Sequence, residues 1–334
     1  MRVLWAGLAG AVATAAVEVR ASRGGDPYDR NQGFLALLAG LPALTALVGL
    51  RQFRPGRFQP GRSGSGRSGP GVVRWLADTG SALAAAAATR ALAGRGALPD
   101  PAQVPYNYPR FDLRLYSAPA PTIAGCELVA GTVTDLDSGH GVQLRAVVGE
   151  RPLVLEFGSV TCPVYLSKID RMRLLTARCT EVANFAVLYT REAHPGPRYP
   201  PHATLADKRR HAADLRTLDH EQRRILIDDV DGTVHRRYGT SPDSVLIVGT
   251  DGIISFWSEW NEPDRTEREL QRLLAAGGRG AHVTPRQIER NFQPPEDSAT
   301  ALRLCLRPGL PAFADFIVQL PGMAADRARA ALWR

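Results

Sequence analysis

The chain has 334 residues, 44% hydrophobic and 22% charged, enough for one domain with extensions or for two small domains. Its net charge of +8 is concentrated at Arg51, Arg54, Arg57, Arg62 and Arg67, in a stretch with no acidic residue. That stretch has little aromatic interleaving, which excludes a nucleic-acid module, and four cysteines with no CxxC pair exclude a disulfide scaffold and a cysteine-based zinc site.

Taken in chain order, residues 1–50 form a hydrophobic N-terminal segment. Stretches 3–17 and 34–50 are uncharged and apolar, near the lower length limit for spanning a bilayer. As a helical hairpin with the arginine run on the inner side, they predict membrane association with the following domain in the cytoplasm. Residues 3–17 also fit a signal-peptide core, and a further crossing by the Ala-rich stretch Trp75–Leu92 would place the domain outside. Residues 51–71 read as a basic Gly/Ser/Pro linker, and 72–127 as a helix followed by a Pro-rich connector.

From position 128 to 276 the pattern becomes α/β. Strands are predicted at Leu153–Phe157, Phe185–Tyr189, Arg224–Asp228, Val245–Val248 and Ile253–Phe256. A helix is expected from Pro163 to Thr180, with Leu166, Ile169, Met172 and Leu175 along one face. Another starts at Thr204, capped with Asp207 three residues on. A short helix ends near Gly239, Gly249–Gly252 closes a hairpin, and residues 264–275 form a last helix. The order predicts a mixed sheet with flanking helices, the thioredoxin-like arrangement. Residues 277–334 form a C-terminal extension with no functional reading.

The chemistry-bearing feature is Cys162, placed between a strand and a helix that starts with Pro163. A thiol at a helix N-terminus meets unpaired backbone N–H groups and the positive dipole end, both of which favour thiolate. Ser159 and Thr161 are expected to add hydroxyl donors beside it. Cys179, roughly 25 Å further along the predicted helix, is too far to resolve an oxidised Cys162 and is read as a core residue. His140, His211, His220 and His235 are read as surface residues, and no metal site is expected.

FGSVTCP (157–163) resembles the active-site motif of the iodothyronine deiodinase family, with Cys162 where that family carries selenocysteine. VLYTREAHP (187–195) and HATLADKRRHAADL (202–215) are similar to two further family motifs, and Trp260-Asn261 also fits. Pro242 sits where thioredoxin-like folds keep a cis-proline facing the active site. Beside the membrane association read from the N-terminal stretches, the resemblance implies a thiol oxidoreductase performing reductive dehalogenation, with Cys162 as attacking group and His194 and Glu192 as a proton-handling pair. His202 would lie by a small-molecule substrate. No bound cofactor is implied; an external thiol would be the reductant, and a homodimer is left open. Alternation along the second strand is expected to put Glu192 and His194 on one face, the carboxylate raising the imidazole's pKa. Val160 and Tyr165 occupy positions where a second cysteine would stand, which excludes two-cysteine exchange. Rival readings are a peroxiredoxin-like or glutathione-peroxidase-like peroxide reductase and a non-catalytic thioredoxin-like binding module.

Overall fold

A computed structural model describes residues 105–111, 120–289 and 298–317, together with Pro295. Nearly all of these fall in one unit, Pro99–Phe313. The hydrophobic stretches 3–17 and 34–50, the linker and the Ala-rich stretch lie outside the described residues. Among the described residues no helix is long and apolar enough to cross a membrane.

The strands are β1 (Thr132–Asp135), β2 (Gly141–Gln143), β3 (Leu153–Gly158), β4 (Asn184–Tyr189), β5 (Arg224–Ile227), β6 (Val245–Val248), β7 (Ile254–Ser258) and β8 (Arg286–Ile288). They form one sheet in the order β2-β1-β5-β4-β3-β6-β7-β8. β3 pairs parallel with β4, and β4 with β5; β6 runs antiparallel to both β3 and β7. This mixed sheet is the thioredoxin-like arrangement the element order implies. Strands β1, β2 and β8, which widen it at both edges, were not anticipated.

The helices are α1 (Leu144–Val148), α2 (Pro163–Leu166), α3 (Ile169–Cys179), α4 (Leu205–Thr217), α5 (Pro263–Ala275), α6 (Ser298–Leu306) and α7 (Leu310–Ile317). Period-two alternation along the central strands sorts the core. Leu153, Leu155 and Phe157 of β3 join Ala186, Leu188, Leu246 and Trp257 in one apolar cluster, covered by α1 and Tyr238. Val154, Val187, Tyr189, Ile225 and Ile247 face the other way, onto the buried sides of α2 to α5. Glu156 also points to the helical side and is fully buried, where Arg223 Nη1 donates to it at 2.5 Å and the Asn261 amide donates to its other oxygen.

One predicted element needs correction. The single helix from Pro163 to Thr180 is broken at Ser167–Lys168 into a one-turn α2 and an eleven-residue α3. At the break Lys168 turns inward, its Nζ donating to Asp243 Oδ2 at 2.6 Å and to the Asn261 carbonyl. The extension is partly structured. Helix α6 packs against α2, and Leu304 joins the apolar cluster around Cys162. The capping box at Thr204 forms as read, with side-chain and backbone bonds exchanged between Thr204 and Asp207.

Candidate active site around Cys162

Cys162 is the N-cap residue of α2, directly after the β3 turn, and Pro163 occupies the first helical position. Its Sγ accepts from the Tyr165 backbone N–H at 3.5 Å. The side chain is 1% exposed, in a cluster with Val160, Val164, Tyr165, Trp260 and Leu304. Burial pushes the thiol well above its ordinary range; the Asp243 carboxylate adds to the rise, and the Tyr165 N–H and Lys168 oppose it. The expected thiolate is therefore overturned for this conformation. The cause is burial, which outweighs the backbone N–H groups at the start of the one-turn helix.

Tyr165, at the place of a second CxxC cysteine, lies across Gly158, where a Cβ would meet its ring at 2.7 Å. Its hydroxyl donates to Glu221 Oε2 at 2.8 Å. Arg223 in turn bonds both Glu221 and Glu156, forming a buried ionic network behind the nucleophile loop.

Ser159 and Thr161 aim their hydroxyls at the 192–194 segment. Ser159 Oγ accepts from Ala193 N at 3.2 Å, and Thr161 Oγ1 accepts from His194 N at the same distance. Thr161 then donates to Glu192 Oε2 at 2.6 Å. Glu192 is a hub: its Oε1 accepts from the Tyr189 hydroxyl and lies 3.0 Å from both His202 Nε2 and His211 Nδ1. Burial alone would raise the Glu192 carboxyl, but hydrogen bonds from His202 and His211 outweigh it and hold the group at about 2.

His194 takes a different place from the one expected. β4 ends at Tyr189, so residues 192–194 lie in the following loop and strand alternation does not apply. The imidazole stacks on Phe111, with ring centroids 4.1 Å apart. Burial lowers its pKa to about 3, against the pull of Glu192, so the anticipated rise is reversed. The bond before Pro242 is trans rather than cis, as are all peptide bonds among the described residues. Pro242 is buried, beside Ser241, whose hydroxyl donates to the Glu259 carbonyl at 2.8 Å. His140 and His220 are exposed as read; His211 and His235 are buried, which corrects their assignment to the surface. Cys179 is only partly buried.

Several site residues escaped the sequence reading. His211 carried a usable signal, because Lys208, His211, Ala212 and Leu215 make a helical stripe that buries one face of α4. Tyr189, Lys168, Asp243 and Arg307 carried none, since their roles depend on contacts 3 to 147 residues away.

Residues 124–264 match the family model for iodothyronine deiodinase. The chain is 27% identical over 120 residues to thyroxine 5-deiodinase of Sparus aurata, covering 33% of this chain and 45% of that protein. It is 30% identical over 184 residues to type II iodothyronine deiodinase of Sus scrofa, covering 46% and 61%. The chain thus spans about half the length of the curated relatives it matches. Among solved structures it resembles peroxidoxin BcpB of Mycobacterium tuberculosis, with 16% identity, a TM-score of 0.37, and coverage of 46% of this chain and 99% of that one. Over residues 124–264 the chain is thus similar to the iodothyronine deiodinase family.

Proposed function

We propose that the protein is a thiol-dependent reductive dehalogenase in which Cys162 is the attacking group and an iodinated aromatic is the substrate class. The substrate class rests on the family match and on the names of the relatives, thyroxine 5-deiodinase and type II iodothyronine deiodinase. The observation that carries the mechanism is the hydrogen-bonded path from the Cys162 loop, through Thr161, to the buried Glu192 hub with Tyr189, His202 and His211.

In the reaction, the Cys162 thiolate attacks the iodine atom and the carbon–iodine bond breaks. The carbon keeps the bonding pair and takes a proton, giving the aryl C–H and a Cys162 sulfenyl iodide. An external thiol displaces iodide to form a mixed disulfide, and a second thiol releases Cys162. The external thiols are oxidised to a disulfide, and the aryl group is reduced. Thr161 and Glu192 connect the reacting loop to the proton-exchanging hub. Ser159 and Pro163 fix the loop, and His194 is tethered beside Thr161 through its backbone N–H. Because Cys162 is buried, the cycle starts from a conformation in which the cover over α2 has opened.

The 1% exposure of Cys162 also favours a second reading, a thioredoxin-like module with a silent cysteine. One experiment separates the two. Purified protein is incubated with an iodinated phenol and dithiothreitol, and iodide release is followed for the native chain and for Cys162→Ser. Release that vanishes in the variant supports the dehalogenase. Release that survives it removes Cys162 as the attacking group, and no release from either protein leaves the binding module.

A further inference from the structure

We infer that Glu192, His202 and His211 form a binding site for a divalent transition-metal ion of the zinc type. Glu192 Oε1, His202 Nε2 and His211 Nδ1 converge on one point, with separations of 3.0, 3.0 and 3.2 Å. All three side chains are buried, at 3% relative exposure each. A tetrahedral zinc ion with bonds of about 2.0–2.1 Å holds its donors roughly 3.3 Å apart, close to the edges of this triangle. Two imidazoles and one carboxylate are also a ligand set that zinc takes in preference to hard cations such as magnesium.

Hydrogen bonding alone explains the cluster poorly. A carboxylate oxygen offers two lone pairs, yet Oε1 faces the Tyr189 hydroxyl and two ring nitrogens. If both rings donate to it, their N–H groups are also pressed together at 3.2 Å. A cation at the centre removes the conflict, because both nitrogens then present lone pairs. The carboxylate is already oriented from outside the triangle by Thr161 on Oε2 and by Tyr189, the kind of support that metal-binding carboxylates receive. Backbone architecture fixes the set as well. His211 stands on α4, and Glu192 and His202 lie on the segment joining β4 to α4.

The inference concerns the same Glu192 hub that the dehalogenase reading uses, and its test reads metal binding without turnover, so the two can fail separately. The full chain is stripped with a chelator, dialysed and titrated with Co2+. The expected result is one equivalent of Co2+ with the visible d–d spectrum of a tetrahedral N/O site, lacking the thiolate charge-transfer band that a cysteine ligand would add. Zn2+ should displace it. His202→Ala and His211→Ala should each weaken binding at least tenfold, by about the loss known for metal-site ligands and their supports or more. Exposed His220→Ala and Cys162→Ala should leave it unchanged. Sub-stoichiometric or octahedral binding by the native chain overturns the site. So does full affinity in His202→Ala and His211→Ala proteins that melt like the native chain. If either variant fails to fold, the native spectrum and stoichiometry still decide.

Discussion

Thr161 Oγ1 donates to Glu192 Oε2 at 2.6 Å, joining two side chains 31 residues apart, both buried in the fold. This bond ties the nucleophile loop to the carboxylate hub, and its removal has a defined cost. Thr161→Val leaves a buried carboxylate oxygen unpaired, a penalty of about 1–3 kcal/mol. Iodide release should fall by about 5- to 150-fold for that range of free energy, and Thr161→Ser, which keeps the hydroxyl, should restore most of it. A Val variant turning over at the native rate would disconnect the hub from the reaction.

Alkylation of Cys162 should be slow at neutral pH. Its thiol is pushed above the ordinary range by burial, so the thiolate fraction at pH 7 lies below that of a free thiol. The rate should climb about tenfold per pH unit through the neutral and mildly alkaline range, with no plateau until the thiol's own pKa is passed. Mass spectrometry after timed iodoacetamide pulses reads this directly, with exposed Cys126 in the same chain as a reference. A plateau near neutrality would show that an open, ionised state prevails.

Asp243→Asn should make Cys162 more reactive. Asp243 is one of the two influences raising the thiol, and burial has pushed its own carboxyl up to about 7 despite Lys168 beside it. Deleting the charge leaves Lys168 as an unpaired cation near the sulfur, so the thiolate becomes its partner. Alkylation at pH 7.5 is expected to rise several-fold. Because the raised carboxyl pKa means that the fold favours a neutral side chain at this position, the Asn variant should react faster with little loss of stability near neutral pH. Slower alkylation by a folded variant would contradict the electrostatic account.

Asp243 also sets a pH dependence of stability. Its folded pKa is raised above the ordinary value of 3.8, so the native state retains a proton that the unfolded chain has released. Stability from this group is complete below about pH 4 and falls as pH rises toward about 7. Thermal melts across that window should slope downward more in the native chain than in Asp243→Asn.

Arg307 clasps the extension onto the site. It donates to both Asp219 oxygens at 2.6 Å and to the Val160 carbonyl at 3.4 Å. Asp219→Asn breaks the bidentate ion pair and should loosen α6, which carries Leu304 over Cys162. Cys162 alkylation at fixed pH should then increase, with the core melt little changed. Equal alkylation rates in the two proteins would mean that another element controls access.

Gly158→Ala tests the packing of the turn itself. The new methyl would lie 2.7 Å from the Tyr165 ring, so the ring or the strand must shift. Overpacking of this kind costs about 1–3 kcal/mol, readable as a lowered denaturation midpoint with an unchanged slope.

The central strands, the N-cap of α4, the turn at Cys162 and the family resemblance were legible in the sequence because each is written locally. A run of five apolar residues, a Thr and Asp three apart, and FGSVTCP need no knowledge of the rest of the chain. Proximity, burial and charge state were decided only by the tertiary structure. The sequence singles out Glu192, but its convergence with Tyr189, His202 and His211 arises because the segment joining β4 to α4 folds back onto α4. Cys162 was identified as the reactive position, yet its protonation was misjudged. A helix-end thiol favours thiolate when solvated, whereas here Val160, Tyr165, Trp260 and Leu304 enclose the sulfur. Desolvation is a property of neighbours distant in sequence, so only the folded chain fixes it.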